Sequence, residues 1–211
     1  MSPSNPQPGL GPAVDPQSDR APWSALVEAA RKGDTEALAE LLELVRHPVR
    51  RTALMVLGRN HADAEDATQQ ALIAFVGALP RFRGECHPAG YASRIALRLA
   101  LASRRKAQQR ARQGRHLLEE EVVEFSPSPS ELSAAARRRE LLRQLLDELP
   151  DYLADTLALR TLLGYSLQEV ARITEAPVNT VRSRMRLAKE ALRRRIEEDP
   201  LLRSELGVAD D

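Results

Sequence analysis

Between residues 181 and 196, Arg182, Ser183, Arg184, Arg186 and Lys189 interleave with Val181, Met185, Ala188, Leu192 and Ile196. At 100° per residue the five apolar positions fall in one sector, so Arg182, Ser183 and Arg186 project opposite them, with Arg184 and Lys189 on the flanks. Arginine suits such a face because its guanidinium can give two parallel hydrogen bonds to guanine O6 and N7 in a major groove. Serine is small enough to let the backbone approach. Thr180, at the start of the same helix, completes the candidate duplex-reading set. A surface helix that happens to carry arginines is the competing reading.

The elements that would hold this face are legible just upstream. Ser166 followed by Glu169 forms a capping-box pattern, which satisfies orphan amides at the start of a short helix over Leu167 to Thr174. Val170, Ala171 and Ile173 supply its buried side, and Glu175-Ala176-Pro177 turns the chain. A second helix should follow from Thr180 to Glu197, capped by Asn179 or Thr180. A short capped helix, a tight turn and a basic N-terminal face together make a helix-turn-helix, a geometry that suits duplex DNA.

Charge is segregated far more than the net +1 suggests. Residues 81–115 hold ten bases and only one acid, Glu85, for a local charge of +9. Residues 116–136 carry −5, residues 137–196 carry +5 and residues 197–211 carry −5. Two basic blocks around an acidic strip suggest two contacts on a polyanion. Solvated helix faces in an arginine-rich chain are the plainer explanation.

The remaining sequence describes an all-α protein. Only seven aromatics occur, and Leu, Ala, Arg and Glu outnumber the β-branched residues that a sheet would favour. Six prolines before Trp23 exclude a packed helix there, so residues 1–22 are expected to be a disordered tail. Helices are expected from Asp34 through Val49, bent at Pro48; from Ala64 to Leu79, capped by Asp63; and from Ala89 to Arg112. Four more should span Glu131 to Leu149, Asp151 to Leu163, Leu167 to Thr174 and Thr180 to Glu197. The expected organisation is therefore two small helical domains, 23–112 and 131–197, joined by a flexible acidic, Pro/Ser-rich linker at 113–130 and followed by an acidic tail at 198–211. Cys86 is the lone cysteine, which excludes an internal disulfide and fits a reducing cytoplasm. No apolar run reaches the roughly 18 residues of a membrane span, so no direct membrane insertion is expected. There is no Gly-rich phosphate loop, no ligand cluster among His47, His61, His87 and His116, and no nucleophile with a partner base, so neither an enzyme nor a bound cofactor or metal is expected.

In order along the chain, Asp63-Ala64-Glu65-Asp66-Ala67-Thr68-Gln69-Gln70 resembles DAEDLVQE, and Arg81-Phe82-Arg83-Gly84-Glu85 resembles RFRGE. Leu149-Pro150, Leu157 to Arg160, Gly164-Tyr165-Ser166 and Pro177 to Arg184 (PVNTVRSR) resemble LP, vLR, GlS and PVGTVRSR. These are landmarks of the extracytoplasmic-function (ECF) sigma factors, minimal sigma-70 relatives with only regions two and four. The resemblance covers about residues 24–112 and 131–197.

It implies a subunit that binds bacterial core RNA polymerase and directs it to promoter DNA, held in check by an anti-sigma factor. It places polymerase docking on Asp66, Gln69 and Gln70, and the candidate docking set adds Asp63 and Ile73 beside them. The helical period independently puts Asp66, Gln70, Ile73 and Gly77 outward if Leu72, Phe75, Val76 and Leu79 pack inward. It assigns capture of the minus-ten strand to the region of Arg83, Tyr91, Arg94, Arg98, Arg104 and Arg105, and minus-thirty-five reading to Thr180, Arg182, Ser183, Arg184, Arg186 and Lys189. The linker acids Glu119, Glu120, Glu121 and Glu124 would lie in the polymerase's RNA path. The chain departs from the usual FRTWLYRIARN, having Pro88-Ala89-Gly90-Tyr91-Ala92-Ser93-Arg94-Ile95-Ala96-Leu97-Arg98, and it has Asn179 where relatives have Gly. Two other functions stay open at this point: an autonomous helix-turn-helix regulator binding an operator as a dimer, and a sigma-like adaptor without promoter-opening activity.

Overall fold

The computed structural model describes residues 20–58, 63–117, 134–199 and 203. The expectations for most of the first tail, for most of the acidic linker and for nearly all of the last tail lie outside them. Among the described residues the elements are α1 (Arg20–Arg31), α2 (Thr35–Leu57), α3 (Ala64–Ala78), a 3₁₀ turn (Leu79–Arg81), α4 (Pro88–Leu117), α5 (Ala134–Glu148), α6 (Asp151–Thr161), α7 (Leu167–Ile173) and α8 (Val178–Glu198), with no strand. None of these helices is long and apolar enough to cross a membrane.

Local chemistry sets most of the boundaries. The carboxylate of Asp34 accepts from the backbone N–H groups of Glu36 and Ala37 at 3.0 and 3.1 Å, which starts α2 where the sequence placed it. The helix then continues through Pro48 to Gly58, whose φ of 105° closes it. Helix α1 begins at Arg20, inside the stretch expected to be a tail, because Pro22 sits in its first turn, where an absent N–H is tolerated. Asp63 occupies the N-cap position of α3 but makes no capping hydrogen bond, since its ψ of 5° departs from the extended conformation that caps require. Pro80 ends α3 in the 3₁₀ turn. Helix α4 runs on to Leu117, five residues past the expected end at Arg112 and into the stretch expected to be linker, since the lone Gly114 does not break it.

Two apolar clusters hold these helices. The first joins α1 to α4 through Trp23, Val27, Leu41, Val45, Val49, Phe75 and Phe82. The second takes Ala53, Val56 and Leu57 from the end of α2 and Leu97, Ala100 and Leu101 from α4, and packs them with Leu146, Leu153, Leu157, Val170, Ile173, Val181 and Met185 from α5 to α8. One apolar core thus continues across the connection between α4 and α5. Gly90 lies close against α7, for a Cβ there would lie 2.9 Å from Cδ1 of Ile173.

Candidate nucleic-acid interface

Helix α7 has only seven residues, too few to persist without help from its ends. The capping box supplies that help: Ser166 Oγ accepts from the Glu169 N–H at 3.2 Å, and Glu169 Oε2 accepts from the Ser166 N–H at 2.7 Å. Val170, Ala171 and Ile173 are buried. In the turn that follows, Glu175 adopts a φ of 53°, the left-handed region. Helix α8 then starts at Val178, two residues ahead of expectation. Pro177, with an extended ψ of 144°, takes the N-cap position, and no side chain caps the helix. Asn179 is therefore inside the helix, where its Oδ1 accepts from Arg182 Nη1 at 2.8 Å.

Val181, Met185 and Ala188 form the buried face of α8, with Leu192 packed against the same cluster. Arg182, Ser183, Arg186 and Lys189 are exposed, whereas Thr180 and Arg184 are half-buried. The Arg184 guanidinium lies 5.7 Å from the centroid of the Tyr152 ring, a cation–π contact that fixes this side chain at the flank. Arg186 donates to Glu190 at 2.8 Å. Contacts of this kind between exposed side chains on one helix are worth little, so Arg182 and Arg186 can exchange them for a duplex at small cost.

The second basic set has a different setting. Arg83 is exposed and lies 3.9 Å from Glu85, apart from the others. Tyr91 joins a ring cluster, 4.9 Å from Phe82 and 6.4 Å from Phe75 between centroids. Burial and the nearby Glu175 carboxylate push its phenol above the usual tyrosine range. Arg94, Arg98, Arg104 and Arg105 line α4 and point across to the C-terminal helices. Arg98 Nε donates to Asp155 Oδ2 at 2.7 Å, and Arg94 Nε lies 3.6 Å from the same oxygen. Arg94 also donates to the Ile173 carbonyl at 3.0 Å. Arg104 and Gln108 both donate to Asp147 Oδ2, at 3.0 and 2.9 Å, while Arg105 pairs with Asp151 and donates to the Leu149 carbonyl. Burial holds the Arg94 guanidinium below its usual range, and Arg98 beside it adds to the effect. Burial likewise raises the Asp147 carboxyl, although Arg104 beside it opposes the shift.

Sequence reasoning missed these aspartates. Their four-residue spacing, 147, 151 and 155, was a usable signal, but they lie in a segment whose net charge is positive.

A third surface lies on α2 and α3. Asp63, Asp66, Gln69 and Gln70 are exposed, with Gln70 donating to Asp66 at 2.7 Å. Ile73 is 65% exposed and borders a groove of about 250 Å³ lined by Leu42, Glu43, Arg46, Leu72, Ile73 and Val76. Leu72 packs against the first apolar cluster as expected, although it is half-buried and also lines this groove, whereas Val76, expected inward too, is a half-buried wall of the groove, because Ala67, Ala71 and Phe75 take the inward sector of α3. The α2 wall was not anticipated, although the spacing of Leu42 and Arg46 on one face could have suggested it.

Residues 21–198 match the family described as ECF sigma factor. A curated relative, the "ECF RNA polymerase sigma-E factor" of Escherichia coli (strain K12), is 29% identical over 193 residues, covering 88% of this chain and 99% of its own. Among solved structures, CnrH in complex with the cytosolic domain of CnrY has 19% identity and a TM-score of 0.49, with 86% of this chain and 98% of that one covered. The sigma factor RpoE in complex with the anti-sigma factor NepR from Bartonella quintana has 21% identity and a TM-score of 0.45, with 82% and 98% covered.

Proposed function

From the membership of this chain in the ECF sigma factor family, which the match over residues 21–198 establishes, we propose how its surfaces divide the work of directing core RNA polymerase in transcription. The autonomous-regulator reading gives way to this one. The family is one of initiation factors rather than enzymes, so the chemistry required is recognition alone.

Residues 23–112 form the unit that grips polymerase and the minus-ten strand, and residues 131–197 form the unit that reads the minus-thirty-five duplex. The groove beside Ile73, with Asp63, Asp66, Gln69 and Gln70 around it, docks on the polymerase. An exposed isoleucine beside an apolar groove is better covered by a partner than by water. Thr180, Arg182, Ser183, Arg184, Arg186 and Lys189 meet the upstream duplex, with Arg182 and Arg186 reaching base edges and Lys189 the phosphates. Arg94, Arg98, Arg104 and Arg105 take the separated strand through its phosphates, while Arg83 is a peripheral contact and Tyr91 borders the strand from within its ring cluster. The protein works in the cytoplasm, where its polymerase is, and an anti-sigma factor restrains it.

The observation that carries this division is the presence on one chain of an exposed basic face on α8 and an exposed apolar groove on α2 and α3. Run-off transcription with purified core enzyme tests it. Arg182→Ala should weaken use of the upstream element by about 1 to 3 kcal/mol while co-migration with core enzyme persists. Asp66→Arg should abolish co-migration and leave upstream duplex binding unchanged. Intact co-migration of Asp66→Arg would overturn the docking assignment.

A further inference from the structure

We infer that Asp147, Asp151 and Asp155 act as an internal substitute for nucleic-acid phosphates, holding Arg94, Arg98, Arg104 and Arg105 in a closed state that must open before those arginines can take a DNA strand. The inference rests on the strand-contact role proposed for the same arginines.

The chemistry of the seam supports it. Every one of the four guanidiniums meets a carboxylate of α5 or α6, and three of them also donate to a backbone carbonyl: Arg94 to Ile173 of α7, Arg104 to Val56 of α2 and Arg105 to Leu149 between α5 and α6. An anionic oxygen about 2.7 to 2.9 Å from a guanidinium nitrogen is what a phosphate would present, so strand and aspartates compete for the same donors. The seam is also incompletely satisfied. Among the described residues, the buried side-chain polar atoms without a hydrogen-bond partner are Nε of Arg94 and Arg105 and Oδ1 of Asp147 and Asp155, all four on this seam. Buried ion pairs of this kind recover little more than their desolvation cost, unlike an apolar core of similar area. Its edge is open to ions: the Arg98 side chain is 53% exposed and that of Asp151 75%. Apolar contacts, among them Gly90 against Ile173, keep the closed state the resting one.

Cys86 offers a native reporter. It packs against both apolar clusters, and the charges of Glu175 and Arg172, just beyond the seam, act on its thiol. Opening should expose it. Two variants of the full chain separate the seam by different means. Asp147→Asn combined with Asp155→Asn removes the competing charge, whereas Gly90→Leu wedges α4 from α7 with every charge in place and raises the helix propensity of α4. Each is compared with wild type for the rate of Cys86 alkylation at pH 8, and for affinity toward a twelve-nucleotide single strand at low salt, with circular dichroism melts reporting the fold.

Both variants should alkylate at least tenfold faster and bind the strand at least tenfold more tightly, and added strand should accelerate alkylation of the wild type. Wild-type alkylation rates in both variants would overturn the latch. So would faster alkylation with unchanged strand affinity, if Arg98→Ala still weakened that binding; the strand-contact reading would then survive. Should Arg98→Ala leave the strand affinity of the opened chain unaltered, the strand-contact reading fails and the latch falls with it.

Discussion

Cys86 shows how a single side chain records its surroundings. Burial, reinforced by the carboxylate of Glu175, pushes its thiol up to about 12. An unperturbed thiol ionises near pH 9.0, so between about pH 9 and pH 12 the folded chain keeps a proton that the unfolded chain has released. The stability tied to this group is complete below the lower value and is lost as pH climbs toward the upper one, at up to about 1.4 kcal/mol per pH unit. Denaturant melts at pH 8 and pH 10 should therefore show wild type losing about 1.4 kcal/mol more than Cys86→Ala. Equal losses would mean that the thiol is not held in this environment. The sequence showed Cys86 only as a solitary thiol, since the groups that bury and polarise it lie as far off as Glu175. Ile73 was easier, because its outward position follows from the period of its own helix.

At the scale of the element, legibility depended on whether a boundary is decided locally. Asp34 and Ser166 were recognisable caps because each acts on amides two or three residues ahead within its own helix. Asn179 and Thr180 carry the same chemistry but lost the position to Pro177, whose fixed φ and extended ψ start α8 sooner. Asp63 lost its capping role through backbone conformation, which residue type does not reveal. The seven residues of α7 make its cap a sharp test. Ser166→Ala should cost about 1 kcal/mol of stability, read as a shift in denaturant midpoint at unchanged slope. Because Ser166 and Glu169 satisfy each other's backbone amides, the double variant with Glu169→Ala should cost less than the sum of the single changes. Strict additivity would show that the two bonds do not act as a unit.

For the whole molecule, the legible features were the helical class, the order of the helices and the exposed face of α8. The seam between α4 and the C-terminal helices was hidden. Each of its ion pairs joins residues about forty to sixty positions apart, and averaging charge over residues 137–196 concealed three aspartates inside a basic segment. The seam changes what salt should do to strand binding. Phosphate contacts to a single strand give log K a slope of about −0.7 per contact against log salt, so four free arginines would give about −3. In the closed chain those arginines must first leave aspartates, a step that salt assists, and the two dependences partly cancel. Wild type should thus show a slope shallower by about one unit or more than Asp147→Asn with Asp155→Asn, measured by anisotropy of a labelled strand between about 50 and 300 mM salt. Parallel lines for the two proteins would mean that the aspartates and the strand do not share their arginines.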